Sequence, residues 1–306
     1  MQLMNRIAIL PPLFLWIVLP MQAQQKQSDL REQNLQGKVK SVEEWEYGDV
    51  EIIAGKGVYV DEGTEVVSHH LSQFNRRGNL EEEKSFDSEG KMIGKSKYKY
   101  SEVGDLMESS EHNEMGKCCG RNVYTYNSYR QFSTLTVFLS DGSIETGSYH
   151  YGPNKRLDSI VWNNPGRRKE LFRYNEKQQL CEKQLFEKGK QVEKSEFRYD
   201  EQGRIIEETH TTSDGRRHTT LSAYDSQGRL QSVTQQGKDG GQESRTCWEY
   251  DSYGNILVET WYNEENIRNV RSTCEYTYDA QGNWTQQIWY DDGKPFSVTR
   301  RKITYY

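Results

Sequence analysis

The 306 residues carry 46 acidic side chains against 40 basic ones, a net of −6, so the surface lacks the basic footprint that general nucleic-acid binding needs. Only 33% of the residues are apolar, too few for a thick core, yet 12% are aromatic, which is not a disordered composition. The apolar material is sparse, large and regularly placed.

The chain opens MQLMNRIAILPPLFLWIVLPMQAQQ, with one positive charge (Arg6), an apolar run from Ile7 to Pro20, and small Ala23 before a polar stretch. That layout predicts a secretory signal peptide over residues 1–23, its run too short to span a bilayer comfortably. Cleavage removes Arg6 alone, taking 40 basic residues to 39 against 46 acidic, a net of −7. The mature protein is expected in the periplasm, on the cell surface or secreted, with no membrane span. Residues 24–34 read as a polar linker, and 35–73 as an N-terminal cap of irregular strands.

From residue 74 to 306 one phrase recurs. RYDEQGRI (198–205), AYDSQGRL, EYDSYGNI and TYDAQGNW are its clearest copies, and FNRRGNL (74–80), YSEVGDL, YNSYRQF, YGPNKRL and YNEKQQL are weaker ones. Successive starts lie 26, 26, 25, 23, 25, 25, 26 and 28 residues apart, so about nine copies of a ~25-residue unit make this a repeat protein. Each phrase encodes a turn. Asp200 takes the first position of a type I turn, Gly203 supplies the left-handed residue, and Tyr199 is placed opposite Ile205. A second turn, often Asp-Gly, follows about twelve residues after each Tyr, as in FDSEGK, FLSDGS, FEKGK, TTSDGRR and YDDGK.

One unit is therefore two strands of about eight residues, and the whole is all-β: roughly 18–20 antiparallel strands in tandem hairpins. An open sheet of that width must curl. The expectation is a long curled or spiralling meander, with the Tyr/Leu face inside. LEEEKSF carries charge on both faces, which argues against a lipid-facing barrel.

These turns resemble those of the YD-repeat proteins: Rhs proteins, toxin-complex shell subunits and teneurins, whose signature is Tyr-Asp-x-x-Gly-Arg/Asn. Closest in kind are short exported YD-repeat-like proteins of Bacteroides-type bacteria, and the Asp-Gly-Lys half-repeats look like MORN-variant repeats. The resemblance covers about residues 35–306. In the large relatives the repeats spiral into a hollow shell around cargo; the aspartate-proline segment that Rhs proteins cleave is missing from this chain.

Residues for chemistry are scarce. The best histidine pair, His210 and His218, flanks Asp214–Gly215; a two-residue loop there would put the rings on opposite faces. The repeated aspartates (Asp200, Asp225, Asp251, Asp279) are explained by their turns, and the Tyr row by a core ladder. Neither a catalytic set, a metal site nor a cofactor is expected. Five cysteines (Cys118, Cys119, Cys181, Cys247, Cys274) are too unevenly spaced for a disulfide framework, and a Cys247–Cys274 bridge is not expected, because the two should face opposite ways. One feature stands apart. Counted eleven residues on from their Tyr, Trp162, Trp261 and Trp289 fall on the face opposite the Tyr row, with Trp261 and Trp289 about two strand spacings, roughly 10 Å, apart. Aromatics on a polar face mark a binding surface.

The function expected is that of an exported, non-enzymatic scaffold binding an envelope protein or a glycan. A structural shell that assembles with other chains is the alternative, and a glycan-active enzyme the least expected reading.

Overall fold

The computed structural model describes residues 28–48, 50–53, 57–59 and 65–306; the apolar run and Ala23 lie outside them. Twenty strands form one antiparallel sheet, and a small separate hairpin pairs Glu51–Ile53 with Gly57–Tyr59. The meander runs from the strand Val66–Phe74 to the strand Lys294–Tyr305. Strand Val39–Gly48 then pairs with both ends of it: Val42 faces Ile303 on one side and Ser72 on the other, and Glu44 faces Arg301 and His70. The sheet is thus a closed barrel, not the open curled ribbon expected from sequence. One strand satisfies two edges that would otherwise present unpaired backbone groups.

Each repeat builds its turn as its residues dictate. The Asp200 carbonyl accepts the Gly203 N–H at 3.1 Å, its Oδ1 accepts the Arg204 N–H at 2.9 Å, and Gly203 sits at φ +82°. Where Gly is replaced, Arg130, Lys155 and Gln178 still take the left-handed conformation, at φ 59°, 58° and 64°. Tyr199 pairs with Ile205 and Tyr224 with Leu230, as their spacing predicts. Immediately before each of the nine Tyr or Phe positions the register slips: Arg198 faces Glu207 while Tyr199 faces Ile205, leaving Ile206 as an extra residue. This β-bulge bends the strand and adds twist. Nine of them on one rim, with six more at the opposite turns, curve the sheet until it closes.

Tyrosines then bolt neighbouring repeats along that rim. The hydroxyls of Tyr126, Tyr174, Tyr199, Tyr224 and Tyr250 donate to the carbonyls of Leu106, Leu157, Leu180, Ile205 and Leu230 at 2.6–3.0 Å.

A short strap identifies the inner face. Within the stretch read as polar linker, Asp29–Glu32 is helical and Leu30 is buried. Asp29 Oδ2 accepts the Leu80 N–H at 2.6 Å, and Asn34 Nδ2 donates to the Tyr253 carbonyl at 2.9 Å. Five residues reach at most about 17 Å, whereas six strand spacings, about 29 Å of wall, separate the strands of Leu80 and Ile256. The strap cuts a chord, so it lies inside the curve. Leu30 and Leu35 pack there on Phe74, Leu80, Ile303 and Tyr305. The tyrosine face is the lumen wall.

Twenty strands at about 4.8 Å, tilted about 40°, enclose a barrel about 40 Å across if circular. The wall is not covered by a filled core: along Phe132–Phe138 and Trp284–Asp291 every residue on both faces is half-exposed. Buried apolar side chains gather instead under the strap and around Ile160, Phe172 and Leu180.

Candidate binding face in the lumen

The bulge decides where the functional candidates point. Across each turn it adds one residue, which reverses the parity of every position beyond it. Trp162 pairs with Gly147, Trp261 with Thr246 and Trp289 with Cys274. Those partners share a face with Tyr149, Trp248 and Tyr276, each two residues on along its strand. All three tryptophans therefore stand on the tyrosine face inside the barrel, not on the opposite face as the plain residue count implied.

They do not form one group. Trp162 lies eight strands away around the wall from Trp261. It packs over Gly147, where an added Cβ would sit 3.1 Å from its ring, and its Nε1 donates to Glu170 at 3.4 Å. Glu170 is buried and also holds Arg168 and Lys183, each at 2.9 Å. Trp162 is a packing residue. Trp261 is 42% exposed, into the lumen. On the strand between the other two tryptophans, Val270 faces Trp261 and Cys274 faces Trp289. Four residues of stagger and two strand spacings put their Cα atoms about 17 Å apart, not 10 Å.

Around them the wall from Gln242 to Arg301 is rich in rings. Trp248 is buried and donates through Nε1 to Glu259 Oε1 at 3.0 Å; burial raises the Glu259 carboxyl above its ordinary range, and this hydrogen bond opposes the shift. Gln287 Nε2 donates to the Tyr276 hydroxyl at 3.0 Å. At the mouth, Arg301 lies 3.3 Å over the Trp284 ring and pairs with Glu44 at 2.6 Å; burial lowers its pKa, and Glu44 opposes this. Sequence reasoning missed Glu259 and Gln287. The signal was there, nine residues after the Tyr, opposite the aromatic two before it, but only once the bulge is counted.

His210 and His218 are also corrected. TTSDGRR forms a longer loop in which only Gly215 is left-handed, whereas a two-residue turn such as Lys188–Gly189 has two such residues. His210 therefore pairs directly with His218 on the lumen face. Nearby Glu208 is raised by burial, against the opposing charges of His210 and Lys183. Among the described residues no three His, Cys, Asp or Glu side chains group as metal ligands. All five cysteines are free; Cys247 faces outward and Cys274 inward, as the sequence spacing predicted.

The outer face is different. Ion pairs run across neighbouring strands: Lys99–Glu108–Arg121, and Arg173–Glu182–Lys194–Glu196.

Residues 153–292 match the teneurin YD-shell family model. No curated protein matches the sequence. Among solved structures, the chain is similar to the TcdB2–TccC3–Cdc42 complex (12% identity, TM-score 0.37, covering 76% of this chain and 16% of that one). It is also similar to the Photorhabdus luminescens Tc holotoxin pore (14%, TM-score 0.33, 82% and 16%). A third is a porin-like protein from Bacteroides uniformis (12%, TM-score 0.37, 87% and 96%). The chain thus spans about one sixth of the toxin-complex chains it resembles.

Proposed function

We propose, from the premise that this chain is a YD-repeat protein, that it is an exported, non-enzymatic barrel shell whose lumen wall binds its partner, a segment of an envelope protein or a glycan. The observation that carries this is the closure of the sheet with its aromatic, hydrogen-bonding face inward. Among the described residues the outer face carries cross-strand ion pairs on strands Met92–Tyr100 to Cys118–Tyr126 and Lys169–Tyr174 to Lys190–Tyr199, which fits water there better than lipid. Export rests on the short apolar run after Arg6. N-terminal sequencing of envelope-fraction protein should read from about Gln24; an intact Met1 on soluble cytoplasmic protein would overturn that part.

The shell-assembly alternative has its own support. Ile93, Met115, Leu139 and Ile144 are 44–79% exposed on neighbouring hairpins of the rim away from the Tyr-Asp turns. Contiguous exposed apolar residues mark contact surfaces. Capture of envelope material by the mature chain separates the two. Binding inside the lumen predicts capture lost in Trp261→Ala and kept in Ile144→Glu. The opposite pattern, with sedimentation that depends on concentration, would replace the first reading by assembly.

A further inference from the structure

The lumen wall is not uniform around its circumference. Strands Lys169–Tyr174 to Arg217–Tyr224 bring charge inward through Glu170, Lys183 and Glu208, with His210 and His218 on the same face. The wall from Gln242 to Arg301 holds four of the seven tryptophans of the chain, Trp248, Trp261, Trp284 and Trp289. Most of its polar groups are uncharged, with Thr246 beside Trp261, Ser272 beside Glu259, and Gln287 beside Tyr276, and at the far rim Asp291 stands opposite Lys294. Arg301, on this face, is already taken by Glu44 and the Trp284 ring.

Resting on the reading of the lumen as the binding face, we propose that this wall is a subsite for a neutral glycan chain. Three features select that occupant. A polyanion or polycation would find no free opposite charge in quantity. A polypeptide bound as an added strand needs a free sheet edge, and the closed barrel has none; its wall offers side chains alone. Ring faces alternating with hydroxyls, the Gln287 amide and the Glu259 carboxylate match the apolar faces and hydroxyl edges of pyranose rings, because stacking buries the C–H face while the rim satisfies the hydroxyls. The ~17 Å between Trp261 and Trp289 requires an oligomer to engage both.

Intrinsic tryptophan fluorescence and calorimetry of the mature chain test this with maltohexaose, cellohexaose and chitohexaose, against polygalacturonate as the polyanion. At least one neutral hexamer should bind saturably, and polygalacturonate should not. Trp261→Ala and Gln287→Ala should each weaken binding about tenfold; Trp261→Ala should leave the melting temperature unchanged, whereas Gln287→Ala, which gives up its bond to the Tyr276 hydroxyl, should lower it slightly. Trp45→Phe, whose ring stacks on His69 on the outer face, should leave affinity intact. The assignment falls if no neutral hexamer saturates, or if Trp45→Phe weakens binding as much as Trp261→Ala. Envelope capture that is lost in Trp261→Ala, survives periodate and is abolished by protease overturns the glycan while leaving the lumen reading standing. Capture indifferent to Trp261→Ala overturns both.

Discussion

Tyr199 shows what one residue of the repeat does. Its ring faces Ile205 across the turn, and its hydroxyl reaches the carbonyl of Leu180 in the preceding repeat at 2.7 Å. Tyr199→Phe keeps the ring and loses the bond, which should cost about 1 kcal/mol. Tyr199→Ala also removes the packing and should cost about 3 kcal/mol, the low end for an aromatic because the wall is half-exposed. Trp261→Ala, on the open part of the same face, should stay within about 0.5 kcal/mol. Urea melts of the three variants give the order; a Trp261→Ala loss equal to that of Tyr199→Ala would mean that Trp261 is packed. The same ladder sets a pH limit. Burial pushes the phenols of Tyr199 and Tyr305 up to about 12, the Asp279 carboxylate adding to the effect at Tyr305. The fold holds these groups neutral, so their contribution is complete below pH ~10, the unfolded value. It is lost as pH rises from there through about 12. Thermal melts across that window should fall steadily, and less steeply for Tyr199→Phe.

At the scale of the turn, local chemistry and inter-repeat contact compete. Gln178, Arg130 and Lys155 hold a conformation that costs a side-chain-bearing residue about 1 kcal/mol. Each uses its side chain in return: Arg130 pairs with Asp105 at 2.7 Å, Lys155 lies 3.8 Å over the Tyr129 ring, and Gln178 accepts from Arg156 at 3.1 Å. Gln178→Gly should therefore stabilise by up to about 1 kcal/mol, and Arg130→Gly by less, since it gives up an ion pair. Gly203→Ala should destabilise by about 1 kcal/mol. Equal gains from Gln178→Gly and Arg130→Gly in chemical melts would show that the Arg130–Asp105 pair contributes no more than the Gln178–Arg156 bond. The turns themselves were legible in Asp200 and Gly203, because their hydrogen bonds close within five residues. The bulge beside them was not. An extra residue leaves no mark on composition, yet it turned Trp261 from the outside to the inside.

At the scale of the molecule, the barrel depends on one strand and one strap. Asn283 Oδ1 accepts the Gln36 N–H at 2.7 Å and its Nδ2 donates back to the Gln36 carbonyl at 2.9 Å, which ties the strap to the wall beside the seam. Asn283 Nδ2 also donates to the Tyr305 hydroxyl at 2.8 Å, so Asn283→Ala should cost about 3 kcal/mol, three bonds at about 1 each. The loss should be local. Hydrogen exchange should accelerate in 39–48 and 294–305 while 190–224 keeps its protection. Uniform acceleration around the ring would show that the barrel opens as a unit and that the strap has no special place in closure.

The sequence by itself determined the repeat, the turn geometry, the all-β class and the number of strands, because Tyr-Asp-x-x-Gly acts over a few residues and does so nine times. Closure was decided only in the tertiary structure. Val39–Gly48 meets partners more than 250 residues away, and no local pattern in GKVKSVEEWEY distinguishes an edge strand from a seam. The inner face was decided there too. Curvature is the sum of many small bends, and only their sum says which side of the sheet becomes the lumen.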